Sequence, residues 1–443
     1  MNSPMRSGRT WVALVLATLC VPLAALAAEE GKSPPKMLGV VTCAGSTCHG
    51  LSAPSDDTTV LQNEFTTWHR QDAHAKAWQV LKDEKGQRIA RNLGLEDPTT
   101  ARECVGCHVG LVAGQATGRQ FRAADGVGCE ACHGAAADWL GLHVTGDANR
   151  AALRTAGLYP TEEPAARATL CLRCHQGDTD HVASHRLMGA GHPRLSFELD
   201  TFTTLEPAHY RVDADYKRRK PAPSHADTWA VGQLAAAERL LTLLADDPWQ
   251  TSGVRTDFAF YDCHACHHPL DTPRWAPRPS HALPPGVPHV NDANLLMLTL
   301  LLDVLDGTQA SRVREGVLAL HKASLESAST LKEAAGALRD VVRQARPAAS
   351  RQPLDRTQMK AVLMKLVAAG KAGELQDYAT AEQAVMAAHA LLDGLADAGA
   401  HDATQRAALE AQVKPLYALV EKPAQYQPAP LVAALEALGQ SLP

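Results

Sequence analysis

Aromatic side chains are scarce: 6 Phe, 7 Tyr and 7 Trp among 443 residues, 5% of the chain. A chain so poor in large rings has little with which to fill a core wherever loops predominate, so apolar volume there must come from another source. Methionine is also rare, and between residues 28 and 272 only Met37 and Met188 occur, which leaves almost no thioether to act as a metal ligand. No cysteine is spare for a disulfide framework. Ten of the eleven fall in five short motifs and the eleventh, Cys20, lies in a segment expected to be removed. After residue 27 no apolar run reaches membrane-spanning length; the longest, Leu295 to Leu305, is interrupted by Thr299 and Asp303. A basic excess is missing too: 43 Lys and Arg stand against 48 Asp and Glu, a formal charge of −5. Nucleic acid is therefore not an expected partner.

The cysteines carry the information. Four motifs have the strict C-x-x-C-H form: Cys104-Val-Gly-Cys107-His108, Cys129-Glu-Ala-Cys132-His133, Cys171-Leu-Arg-Cys174-His175 and Cys263-His-Ala-Cys266-His267. A fifth, first in the chain, is the longer Cys43-Ala-Gly-Ser-Thr-Cys48-His49. Two thiols followed at once by a histidine is the signature of covalent haem c attachment: the sulfurs add to the vinyl groups and the histidine binds the iron. Zinc sites and disulfides give no reason for a histidine after every second cysteine. Five covalently attached haem c groups are expected, and they would supply the apolar volume that the side chains lack.

The N-terminus reads as a secretory leader. Arg6 and Arg9 precede an apolar stretch from Trp11 to Leu23, and Ala25-Leu26-Ala27 forms an A-x-A cleavage site. Residues 1–27 are expected to be a signal peptide and the mature chain a periplasmic protein without a transmembrane segment. Cleavage removes two arginines and no acid, which moves the formal charge from −5 to −7. Residues 28–272 hold every motif, among loops and short helices. A Pro-rich linker at 273–289 follows, with Pro273, Pro277, Pro279, Pro284, Pro285 and Pro288. Residues 290–443 lack Cys and are rich in Ala and Leu. There Val313, Val317, Leu320, Ala328, Leu331, Leu338 and Val342 fall near one helical face. Asp292 is placed to cap a helix that Gly307 ends, and similar patterns cover 355–369, 378–396 and 403–419. The expected fold is mainly α: a haem-filled core of short helices and loops, followed by a helical C-terminal bundle.

Twenty histidines are present and five belong to the motifs. Fifteen remain for at most five sixth positions, and with so little methionine bis-His coordination is the default, which implies low potentials. His192, in Gly189-Ala-Gly-His192-Pro, has room beside it for a ring, and His225 heads an apparent helix. Both are candidates for the fourth and fifth irons, with His181, His185 and His209 open beside them. His264 suits a propionate contact. His321, His389 and His401 lie in the Cys-free part, where His389 reads as a core histidine.

From Cys43 to about Cys174 the chain resembles the tetrahaem cytochrome c-554 family, electron carriers of ammonia oxidation. The matching pieces are Trp68 with Asp72-Ala73-His74-Ala75-Lys76-Ala77, then Glu103 to Val109, then Gly126-Val127-Gly128 leading into the third motif. The resemblance implies that His74 is the distal ligand opposite His133, with His69 as the alternative. It also implies that His143 lies opposite His49 and that the haem on His108 has no distal ligand. The fifth motif departs from the family's pattern.

Two functions follow as expectations. One is a pentahaem electron-transfer protein working between periplasmic or membrane-bound cytochromes or quinol-oxidising complexes. The other is an oxidoreductase acting on a small nitrogen or oxygen compound at a five-coordinate haem on His108. The first is favoured, because every motif ends in His where nitrite reductases carry one Lys. An acidic surface suits transient contacts with basic patches on redox partners.

Overall fold

The computed structural model describes residues 1, 35–56, 58–112, 114–145, 149–246, 256–268, 278–284, 286–350, 353–399 and 403–442. The leader beyond its first residue, with Cys20, lies outside the described residues. So do Pro273, Pro277 and Pro285 of the Pro-rich stretch, and His401.

Among the described residues helix dominates, and β pairing is limited to two isolated bridges, Met37 with Thr117 and Tyr261 with Val290. The mainly α class is the one the sequence pattern predicts. The motif-bearing part is built of short pieces: helices Glu64–Gln71, Glu84–Leu93, Arg102–His108, Cys129–His133 and Leu140–Val144, then α1 (Pro164–His175) and α2 (Leu199–Leu205). Pro164 at the first position starts α1, where a missing N–H costs nothing. Three strict motifs sit at the ends of helices. Cysteines three apart, with the histidine one further on, then share one side of a single turn.

The remaining helices pack as a bundle. They are α3 (His225–Asp246), α4 (Ala293–Leu305), α5 (Gly307–Glu326), α6 (Ala328–Ser350), α7 (Arg356–Lys371), α8 (Tyr378–Asp397), α9 (Ala403–Leu419) and α10 (Pro428–Ser441). One buried cluster runs through them, with Trp229, Leu241 and Leu244 of α3 against Leu298, Leu301, Val313, Leu338, Leu363 and Leu391. Each such side chain contributes roughly 1.5–3 kcal/mol by leaving water. Helix α3 packs on α1 and α2 on one flank and on α4, α6 and α8 on the other. It thereby joins the motif-bearing segments to the bundle. The apolar α4 is buried on nearly all sides. Among the described residues no helix is long and apolar enough to cross a membrane.

Two local expectations need correction. The periodic run from Val313 to Val342 is not one helix, because it breaks at the extended Ser327 between α5 and α6. Gly307 does not end a helix but begins α5, capped by Asp306, whose side chain accepts from the Gln309 N–H at 3.1 Å. Asp292 does occupy the N-cap position of α4, yet it makes no side-chain cap bond. Its carboxylate turns inward to Arg278, His281 and His321.

Candidate functional site: five facing histidine pairs

Each motif histidine faces one other imidazole. His49 faces His143, with ring centroids 5.9 Å apart. His108 faces His192 at 6.5 Å, His133 faces His209 at 6.2 Å, His175 faces His74 at 6.1 Å, and His267 faces His185 at 6.2 Å. Two imidazoles bound through Nε2 to opposite faces of one iron, at about 2 Å each, have centroids roughly 6 Å apart. The residues therefore fit a metal held between each pair, with two thiols beside it.

The ring nitrogens agree with that fit. His49 Nδ1 bonds Glu64 at 2.9 Å, His74 Nδ1 bonds Asp72 at 3.0 Å, His108 Nδ1 donates to the Ala77 carbonyl at 2.6 Å, and His192 Nδ1 to the Pro193 carbonyl at 2.8 Å. A partner on Nδ1 orients the ring, leaves Nε2 for the metal and, when it is a carboxylate, makes the imidazole more basic. Burial pushes His133 and His175 down to about 4, so both offer an unprotonated nitrogen, the form a metal binds.

Local sequence explains how these rings are placed. Asp72 accepts from the His74 backbone N–H at 2.9 Å as well as from the ring, so the Asp-Ala-His turn orients the imidazole. The His74 carbonyl accepts from the Val127 N–H at 3.0 Å. A Cβ on Gly126, at φ 74°, would lie 2.5 Å from that carbonyl, so only glycine permits the approach. The Trp68 indole donates to the Val127 carbonyl at 3.1 Å. Gly106 inside the second motif is equally constrained: a Cβ there would fall 1.9 Å from Cδ2 of the His181 ring.

Glu130, a variable position of the third motif, is a buried acceptor that residue spacing did not reveal. It takes the N–H groups of Leu38, Gly39 and Ala136, each at 2.7 Å. That ties the segment ahead of Cys43 to the third motif. Glu130→Ala leaves the buried donors of Gly39 and Ala136 unmet at about 1–3 kcal/mol each, and the half-buried one of Leu38 as well. The expected result is a loss of at least about 2 kcal/mol in urea unfolding, together with reduced haem loading at Cys43 and Cys48 by mass spectrometry.

The placements differ from several expectations. His74 faces His175, not His133, and His133 is faced by His209. His192, expected at the fourth or fifth iron, faces His108, which the family resemblance leaves without a distal ligand. His185, one of the open candidates, faces His267. His225 faces no motif histidine. It lies 3.0 Å from Asp200 and 3.9 Å from Asp397. The Asp200 hydrogen bond pushes it up to about 9. His69 stacks on Phe65, His181 is buried against Asp178 at 3.0 Å, and His389 bonds the Tyr417 hydroxyl at 3.1 Å. His143 is the ring facing His49.

A second group of ligand-type atoms, on His281, Asp292 and His321, is buried and lies within 4.8 Å of one another. The Arg278 guanidinium bonds both Asp292 and His281. The protein's own cation fills that centre.

The motifs are also neighbours. The Cys43 side chain lies close to Cys129, and that of Cys107 close to Cys174. His175 and Cys263 line one cavity, of about 110 Å³. Two-thiol turns, each closing on a histidine that faces another, define a multihaem c-type cytochrome with covalently bound haem. Residues 42–134 match the family described as cytochrome c554 and c-prime, which supports a multihaem cytochrome c related to that family. The match takes in the first three motifs and ends one residue beyond His133. No curated protein and no solved structure matches the chain.

Proposed function

We propose that the protein is an exported, periplasmic pentahaem cytochrome that passes electrons between redox partners through closely packed bis-His haems. The five facing histidine pairs carry this reading. Cys43 with Cys48, Cys104 with Cys107, Cys129 with Cys132, Cys171 with Cys174 and Cys263 with Cys266 hold one haem each. Haem held in this way supplies one-electron chemistry between its ferric and ferrous states. A second imidazole on each iron closes the position where a small molecule would bind, which suits transfer rather than activation. Neighbouring first and third, second and fourth, and fourth and fifth motifs support a chain of haems close enough for transfer. Cys48 and Cys266 are the exposed attachment cysteines, so the first and fifth motifs are the natural points of contact with partners. The excess of acidic groups favours basic patches on those partners, and association weakens with salt. Residues 28–272 carry the electron path and the helices beyond 290 buttress it.

The oxidoreductase reading depended on an open iron at His108. His192 opposite that ring argues against it, and the adjoining Val109 to Val112 run offers no proton donor.

Intact mass should exceed the processed polypeptide by five haem groups, and low-temperature EPR of the oxidised protein should show only low-spin haem. A gain of four haems would remove the C-x4-C-H site from the set. A persistent high-spin signal from one haem, with rapid nitrite or hydroxylamine turnover, would overturn the transfer reading.

A further inference from the structure

The cavity between the fourth and fifth motifs has a charged wall. Arg194 and Glu382 line it together with His175 and Cys263. The Arg194 guanidinium donates to a Glu382 carboxylate oxygen at 2.8 Å, and the Ser196 hydroxyl donates to the same oxygen at 2.6 Å. The guanidinium also lies 5.2 Å over the Tyr378 ring. Tyr378 and Glu382 are one turn apart at the start of α8, with the Tyr378 hydroxyl 3.3 Å from the other Glu382 oxygen. The ring of Tyr378 packs in addition on His264, inside the fifth motif, with centroids 5.2 Å apart. A single turn of the C-terminal bundle therefore grips the fifth motif and fixes a cation in the cavity beside it.

A cation near a haem favours the ferrous state and a carboxylate favours the ferric state, more strongly in a partly dry site than at the surface. We propose that Arg194 and Glu382 are positioning residues that set the potential of the haem bound through Cys263 and Cys266. Through this pair α8 makes the C-terminal helices part of the electron path rather than a passive support. The inference rests on the reading that the fifth motif carries a haem.

The test is a spectroelectrochemical titration of the full holoprotein. Arg194→Gln should lower one midpoint and Glu382→Gln should raise the same one. Each should change the ferric-to-ferrous ratio at fixed potential by roughly tenfold, the scale of a unit charge near 10 Å at intermediate dielectric. Arg194→Lys keeps the charge and should leave the midpoint near that of the wild type. Opposite shifts on one haem are beyond a merely structural role, because loosening the cavity moves both variants in the same direction. Shifts of equal sign, or none, would overturn the inference, and Glu382→Gln alone decides it if Arg194→Gln fails to fold. A Cys263→Ala/Cys266→Ala variant identifies the midpoint by its disappearance. If that variant loses no haem mass, the haem reading of the fifth motif fails. If it loses one haem while the charge variants leave every midpoint in place, only the present inference fails.

Discussion

His209→Ala is expected to make the haem on His133 high-spin, and His74→Ala to do the same for the haem on His175. The structure sets His209 6.2 Å from His133 and His74 6.1 Å from His175, ring to ring. Each substitution takes away the imidazole on one side and leaves the motif histidine on the other. Low-temperature EPR should then show about one haem in five changed in each variant, and added imidazole should restore the low-spin signal. The family resemblance alone assigns His74 to His133, so the two assignments must be separated. Combining His74→Ala with Cys171→Ala and Cys174→Ala removes the haem on His175. If His74 serves that haem, the combined variant has no high-spin signal. If the signal persists, His74 belongs to His133 and the pairing described above is wrong.

The second large effect lies in the bundle. Arg278 and Asp292 form a buried ion pair, each almost wholly removed from water, with the buried His281 and His321 bonded to the same carboxylate. Arg278→Met leaves the Asp292 charge unpaired and should cost about 3–5 kcal/mol. Arg278→Met combined with Asp292→Leu removes that pair but leaves Asp377, 3.4 Å from the guanidinium, without its cation, and should recover part of that loss. Urea unfolding followed by far-UV circular dichroism checks both; equal destabilisation in the single and double variants would refute the pairing argument. Acid acts at the same place. Burial pushes His281 down to about 4, against an ordinary value near 6.5, so unfolding lets it take up a proton. Its contribution is fully present above about 6.5 and is lost as pH falls towards 4.

What could be read early, and what could not, follows from the range of the interactions. Attachment motifs are local: two thiols and a histidine within one turn act together whatever surrounds them. Helical stripes are local too, which is why 355–369, 378–396 and 403–419 correspond closely to α7, α8 and α9. Axial partners are not local. His209 has no spacing relation to His133, and His185 none to His267. Nothing in the Pro207-Ala-His209-Tyr or Ser184-His185-Arg runs separates them from loop histidines. His225 shows the reverse case. Its place at the head of a helix was readable, but Asp200 and Asp397, which flank its ring, come from distant segments.

The sequence by itself determined the chemistry of attachment, the mainly α class and the scarcity of methionine that points to imidazole on both sides of the iron. Tertiary structure alone decided which imidazole faces which. That choice requires two remote segments to converge across one ring, so it depends on how Asp72, Glu64, Ala77 and Pro193 orient each ring and on where the helices pack. The same holds for Arg194 and Glu382, far apart in the chain, which meet only because α8 folds back onto the fifth motif.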